Sequence, residues 1–496
     1  MPWLSSNCPT ELPCRRDLVA RKKRTSLTAV VFVLVAVVVM SMPMHPRANA
    51  QRASDLVTED VSFRSSDGVT LRGTIVAPAD HSDEMPGLVL VHGGGPATRD
   101  WHRQEAEAFA RAGIVTLIYD KRTDGYSLTE RSYAQLADDA LAAHEVLGSD
   151  GDVDGARVGL WGVSEGGWVV PLAASNSDDV AFLITVGANG IPPAQQEAWA
   201  KSNRLRRVGV SGSMLHSYTT TALRTLVAAG LFPEGDYDPI PVLESLSQPV
   251  LGIWGAYEQV SPPAENLSIF AEALERGSAG FTLRILAEGD HAAYVSPDGG
   301  FATEDWISTG GVFAPGYIEL VASWVHGLST GPSTSSADTP PEQETTSTPL
   351  PPLDWYETIP LQVAVVGLIV FAFTGYLLSA LIRRFRGQPQ THPAARTGFW
   401  VATTGLVTVF GLLGYFGIML ITSETVVGPV VLGRTIPWIT LQLLALGVVV
   451  GAVVTSVKWW RYRGHAHSNG TVLLGLSTTA AALFVPWALY WGLLLP

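Results

Sequence analysis

Along residues 51–330, short unbroken apolar runs alternate with stretches of helical period. The runs at 69–77, 87–91, 114–119, 157–162, 182–186, 250–254 and 281–285 read as strands. Residues 105–112 and 133–147 read as helices, and the chain turns helical again from Glu165. Strands that are apolar throughout and separated by helices predict a mostly parallel sheet covered on both faces, an α/β class of fold. Between 188 and 247 the rhythm breaks. Polar helical stretches at 194–207 and 213–229 follow one another without a buried strand, which predicts a helical cap over the sheet.

The flanks of this region follow other patterns. Residues 26–42 are almost wholly apolar, are preceded by Arg21-Lys22-Lys23-Arg24 and are followed by Ala48-Asn49-Ala50. That order predicts a signal peptide over 1–50, cut after Ala50, or else an uncleaved anchor. Residues 331–356 are rich in Pro, Ser and Thr and predict a flexible linker. Residues 357–496 contain four apolar stretches, at 359–382, 398–421, 436–457 and 471–494. Each is long enough to cross about 30 Å of hydrocarbon, so an all-α transmembrane bundle is expected. Arg383-Arg384-Phe385-Arg386 follows the first stretch and the basic run 458–463 follows the third. The positive-inside rule puts both runs in the cytoplasm and residues 51–330 outside. The N-terminal basic cluster predicts the same side. The spans carry almost no ionisable residues, which favours an anchor or docking platform over an ion-coupled transporter.

Composition and charge refine this picture. Hydrophobic residues make up 47% and charged residues 16%, and the apolar excess sits in the flanks rather than in the central domain. The net charge of −13 comes mostly from acidic residues between Asp55 and Glu344, so no basic face for a nucleic acid is expected. The two cysteines, Cys8 and Cys14, precede the first apolar segment. The central domain therefore has no disulfide and must rely on its core. Two cysteines without neighbouring histidines also make a poor zinc site.

The chemistry concentrates in loops after strands. Gly162-Val163-Ser164-Glu165-Gly166-Gly167 joins a strand to a helix. Glycines are needed where the turn is too tight for side chains, and the turn aims the Ser164 hydroxyl into the cleft above the sheet, as in a nucleophile elbow. His92-Gly93-Gly94-Gly95-Pro96 follows the strand 87–91. Backbone N–H groups of such a loop can hold an oxyanion together with the N–H of Glu165. Gly94 is the first choice of loop donor and Gly95 the second, while Pro96 has no N–H to give. His92 precedes these donors and reads as structural. A base must follow the elbow, and among His216, His291 and His326 the loop position of His291, after the strand 281–285, suits it best. The acid that orients the base is expected after the strand 250–254, where Glu258 stands. Asp290 and Asp298 are the competing carboxylates.

The run Leu90-Val91-His92-Gly93-Gly94-Gly95-Pro96, then Tyr119-Asp120-Lys121-Arg122, then residues 154–161 leading into the elbow, resembles the α/β-hydrolase family. The similar members are the carboxylesterases and the prolyl-oligopeptidase-like and serine-aminopeptidase-like enzymes. The resemblance covers residues 55–328 and not the apolar stretches beyond. It departs from the family pattern at Glu258, where Asp is more usual, and at Thr123, where Gly is. It implies the α/β-hydrolase fold and a Ser164–His291–Glu258 triad that cleaves carboxylic esters through an acyl-serine. A peptidase that removes short N-terminal fragments is the second expectation, and a catalytically silent sensing module the third. The chemistry calls for no metal or organic cofactor. Expected partners are a small-molecule or lipid-like ester and membrane lipid, with no nucleic acid. Nothing in the apolar stretches identifies a protein partner.

Overall fold

The computed structural model describes residues 55–80, 83–127, 129–296, 311–330, 335–387, 392–462 and 468–496. The expected signal peptide, Cys8, Cys14 and Asp298 lie outside the described residues.

Nine strands form one sheet: β1 (Leu56–Arg64), β2 (Thr70–Pro78), β3 (Met85–Val91), β4 (Val115–Tyr119), β5 (Val153–Val163), β6 (Leu183–Val186), β7 (Val250–Gly255), β8 (Phe281–Leu286) and β9 (Ser336–Ala337). Their order is β1-β2-β4-β3-β5-β6-β7-β8-β9. The pairs β1–β2 and β2–β4 are antiparallel and the rest are parallel. Strands β4, β6 and β7 are buried at every position, as strands covered on both faces must be.

Helices cover both faces. On one side lie α2 (Tyr133–Gly148), α3 (Gly166–Ser175) and α8 (Pro263–Gly277), whose Leu136, Val169 and Phe270 pack with Val89, Leu160 and Leu283 of the sheet. On the other lie α1 (Arg103–Arg111) and α9 (Tyr317–Gly327), whose Phe109, Tyr317 and Val321 pack with Leu88, Ile118 and Ile184. Between β6 and β7 the chain is helical: α4 (Pro193–Arg207), α5 (Gly212–His216), a π-helical turn (Ser217–Ala222), α6 (Leu223–Ala228) and α7 (Ile240–Ser245).

The strand order turns at β3. Strand β4 lies on one side of it and β5 on the other, so the loops leaving β3 and β5 diverge and open a crevice at the carboxyl ends. The glycine loop and Ser164 stand at that crevice. This sheet, with its antiparallel start and its helical insertion after β6, is the α/β-hydrolase fold.

The expected flexible linker is an attached strap instead. Strand β9 pairs with β8 through Thr282 and Leu283. Further on, Gln195 Nε2 donates to Ser347 Oγ at 2.7 Å, Trp199 Nε1 to Thr345 O at 2.8 Å and Ala264 N to Gln343 Oε1 at 3.1 Å. A segment poor in apolar residues is held by hydrogen bonds from Gln195, Trp199 and the Ala264 backbone of the hydrolase domain.

Beyond the strap, α10 (Ile359–Phe385), α11 (Ala395–Ile421) and α12 (Ile436–Arg461) are long and apolar enough to cross a membrane. Helix α13 (Ser468–Tyr490) falls in the fourth expected span, and its described apolar part is the shorter Leu474–Tyr490. A hairpin of β10 (Val430–Val431) and β11 (Arg434–Thr435) links α11 to α12 on the side of the helical insertion, where Ser211 N donates to Gly433 O at 2.8 Å. Arg383, Arg384, Lys458 and Arg461 cluster in the last turns of α10 and α12, at the far end from those contacts.

Candidate active site

Ser164 follows the last residue of β5 with φ of 55°, a left-handed conformation that a serine adopts only under constraint. Its N–H donates to Val186 O at 2.9 Å, which ties it to the end of β6. A side chain at Gly93 would meet Ser164 Cβ at 3.3 Å, so the glycine loop lies directly against the serine. A side chain at Gly166 would run into Val91 O at 2.8 Å. The elbow glycines are therefore demanded by packing as well as by the turn.

The structure brings His291 and Glu258 together. His291 Nδ1 lies 2.7 Å from Glu258 Oε2. The other carboxylate oxygen accepts from Val260 N at 2.7 Å and Ser261 N at 2.9 Å. Three donors thus fix a fully buried carboxylate. Burial disfavours a charged imidazole, but the Glu258 charge and hydrogen bond, helped by Asp290, outweigh it and raise the His291 pKa above its ordinary value. With Nδ1 bonded to the carboxylate, Nε2 is left buried and without a hydrogen-bond partner. The ring packs on Gly187, next to the Val186 that holds Ser164. No hydrogen bond joins Ser164 Oγ to His291 Nε2; such bonds commonly tighten only when substrate binds.

The competing residues lie elsewhere. Asp290 Oδ1 accepts from Ala292 N at 2.9 Å and Tyr294 N at 3.0 Å and so shapes its own loop. His92 is buried with Nε2 2.6 Å from Tyr119 O, and burial pushes its pKa well down. His216 is exposed at the end of α5, and His326 bonds to Ala112 O at 2.9 Å.

The two first-choice oxyanion donors are open. The N–H groups of Gly94 and Glu165 have no acceptor among the described residues. Gly95, the second choice, is not open: its N–H donates to Tyr126 Oη at 2.9 Å. Behind these donors lies a buried network that the sequence reading missed. Lys121 Nζ donates to Gly93 O at 2.6 Å, Glu165 Oε1 at 2.6 Å and Tyr126 Oη at 2.8 Å. Tyr126 Oη donates to Glu165 Oε1 at 2.9 Å, and Arg131 reaches Glu165 Oε2 at 2.5 Å. Burial pulls the Lys121 pKa down while Glu165 opposes it. The sequence did hold a signal, since Lys121 stands in a motif and Glu165 is a charged residue inside an otherwise apolar elbow. Among the described residues no group of His, Cys, Asp or Glu is arranged to hold a metal.

No family model matches the chain. It is similar to an uncharacterized protein of Mycobacterium tuberculosis, 30% identical over 217 residues, which cover 44% of this chain and 67% of that one. It is also similar to the thiohydrolase apmlB of Arthrinium phaeospermum, 27% identical over 140 residues and 27% of this chain. The chain spans less than half of that relative's length, 45%. Among solved structures, 2,6-dihydroxy-pseudo-oxynicotine hydrolase is 16% identical with a TM-score of 0.39, covering 56% of this chain and 71% of that one. The sheet order and the left-handed serine at the strand-to-helix turn give this chain the α/β-hydrolase fold, joined to a C-terminal region of membrane-length apolar helices.

Proposed function

We propose that the chain is a membrane-tethered serine hydrolase that cleaves carboxylic esters outside the cytoplasm. One observation carries the reading. A buried glutamate holds Nδ1 of a histidine whose ring packs on Gly187 and whose Nε2 has no hydrogen-bond partner, and the neighbouring Val186 holds a strained serine beside two unengaged N–H groups.

Ser164 Oγ attacks the ester carbonyl as His291 Nε2 takes its proton. Glu258 holds the imidazole tautomer and stabilises the imidazolium. The N–H groups of Gly94 and Glu165 receive the oxyanion. Collapse expels the alcohol, which His291 protonates, and leaves an acyl-Ser164. Water then attacks the acyl group as His291 takes its proton, and His291 returns that proton to Ser164 Oγ as the acid leaves. The basic residues at the far ends of α10 and α12 support a cytoplasmic position for those ends and an outer position for the hydrolase domain.

The test uses the full chain in detergent micelles. Ser164→Ala should remove nearly all turnover of p-nitrophenyl acetate and all labelling by a fluorophosphonate, with the circular-dichroism spectrum unchanged. Full retained turnover would overturn the assignment. A parallel assay on aminoacyl-amides decides between ester and peptide substrates.

A further inference from the structure

Helix α4 touches both the candidate site and the membrane-length bundle, at different turns. Near its start, Gln196 is buried and its Nε2 donates to Val260 O at 2.7 Å. That carbonyl belongs to the same planar peptide group as Ser261 N. Ser261 N in turn donates to Glu258 Oε1 at 2.9 Å. A single rigid peptide group is therefore held by α4 on one edge and holds the carboxylate on the other.

Further along α4, Lys201 Nζ donates to Glu424 Oε1 at 2.7 Å, and the Arg204 guanidinium pairs with Glu424 Oε2. Tyr218 Oη donates to Glu424 Oε1 at 2.5 Å. Glu424 lies just past the end of α11, and its side chain is wholly buried. Glu197 reaches Lys201 at 2.9 Å, so two cations face two carboxylates and the cluster is neutral. Around it, Leu205, Met214 and Tyr218 share one apolar core with Met419 and Trp438 of the bundle. From Gln196 to Arg204 the helix runs roughly 12 Å, two stiff turns.

A plain tether needs no such contact. Buried ion clusters add little net stability over apolar packing, yet they demand one geometry. This cluster fixes the helix that steers the acid loop.

We propose that Gln196 and Glu424 are positioning residues for the Ser164 reaction: docking of α4 on the bundle through Glu424 sets the Val260–Ser261 peptide, and through it the Glu258 carboxylate against His291. The hydrolase is then fully competent only when seated on its own membrane bundle. This rests on the acyl-Ser164 reading.

Losing the Glu424 charge leaves Lys201 with Glu197 alone and takes from Arg204 its carboxylate partner across the contact, which lets the end of α4 move. The Val260–Ser261 peptide follows, and Glu258 slackens from His291. Turnover falls without a matching change in substrate binding. The imidazolium loses support, so the acidic limb of the pH–rate profile moves to lower pH. Partial unfolding alone would lower the amplitude and leave the limb in place.

The test takes the full chain in phosphatidylcholine nanodiscs, with p-nitrophenyl butyrate as substrate and a fluorophosphonate to count competent Ser164. Glu424→Gln and Gln196→Met are compared with the parent. For both, kcat per labelled serine should fall roughly tenfold or more, KM should hold within about twofold, and the acidic limb should move down. Gln196 bonds to Val260 within the hydrolase domain, so Gln196→Met leaves the Glu424 cluster intact and decides the matter if Glu424→Gln does not fold. Parental kcat and an unmoved limb in folded Gln196→Met would overturn the proposal. A parent chain that neither labels nor turns over would sink the acyl-Ser164 reading itself, and the proposal with it.

Discussion

Replacing Gly187 by alanine sets a methyl group against the imidazole of His291. The added Cβ would stand 2.7 Å from Nδ1, 2.8 Å from Cε1 and 2.5 Å from the His291 carbonyl oxygen. Ordinary contact begins at 3.4 Å, so the ring must retreat by about 0.7 Å. Nothing nearby absorbs that shift cheaply, because Nδ1 is held 2.7 Å from a fully buried Glu258. A 1 Å misplacement in a catalytic group costs on the order of 10²-fold. We therefore expect kcat/KM to fall about 30–100-fold, or ~2–2.7 kcal/mol of transition-state stabilisation. Gly187 also has φ of 58°, which costs an alanine ~1–2 kcal/mol, and the crowding adds ~1–3 kcal/mol to the loss of stability. The assay is p-nitrophenyl butyrate hydrolysis by the full chain well below its melting temperature, normalised to folded protein by circular dichroism. Fluorophosphonate labelling should slow in step with kcat/KM, since both need the base over Ser164. A folded Gly187→Ala with parental kcat/KM would refute the placement of His291 as base.

Four further outcomes follow from the same geometry. Glu258→Gln should lower kcat by about 10³–10⁴-fold, as expected when the orienting acid is lost, whereas Asp290→Asn should change it far less; steady-state kinetics of the two variants decides which carboxylate acts. The raised His291 pKa places the acidic limb of kcat/KM above the ordinary value near 6.5, and Glu258→Gln should move it down. Because the folded value is the raised one, the His291–Glu258 pair stabilises the fold below the unfolded pKa, and that contribution is lost as pH rises through the folded pKa. The melting-temperature gap between parent and Glu258→Gln should then be wider at pH 6 than at pH 9, and equal gaps would contradict it. Tyr126→Phe removes the acceptor of the Gly95 N–H and a donor to Glu165, so kcat should drop about tenfold with KM little changed. Stopped-flow acylation by p-nitrophenyl acetate checks whether the loss lies in the step that forms the oxyanion.

What the sequence disclosed depended on whether a local pattern carried the information. Strands β3, β4, β6 and β7 announce themselves because burial on both faces leaves a nearly unbroken apolar run. Strand β1 did not, because one face is wet and Glu59 and Asp60 interrupt it. Strand β9 lies in a segment rich in Pro, Ser and Thr and is defined only by pairing with Thr282 and Leu283. The elbow was legible because Gly162, Gly166 and Gly167 are spaced for one job. The position of Glu258 after β7 was legible too, but the backbone N–H groups that aim it were not. The choice between Gly94 and Gly95 turns on Tyr126, a hydroxyl some thirty residues away that arrives only through folding. The strap was misread for the same reason: its partners, Gln195, Trp199 and Ala264, belong to distant helices.

The buried network behind Ser164 is best understood through the strain it accompanies. A left-handed serine costs roughly 1–3 kcal/mol and persists only where its surroundings permit no alternative. Apolar packing alone could bury the elbow, and replacing a buried ion pair by apolar groups is often neutral or stabilising. Stability therefore does not account for Lys121, Arg131 and Glu165. Geometry does. Lys121 holds Gly93 O, Tyr126 holds Gly95 N–H, and both hold the side chain of Glu165. The residue between the first two is Gly94, and the backbone N–H of the last lies beside Ser164. The network thus braces the two open N–H groups from both sides of the crevice between β3 and β5. Two cations share one carboxylate there, behind the N–H groups proposed to hold the oxyanion. If the proposed acyl transfer takes place there, fixed cations in a site sheltered from water would favour its charged transition state over a neutral substrate, which is the direction catalysis requires.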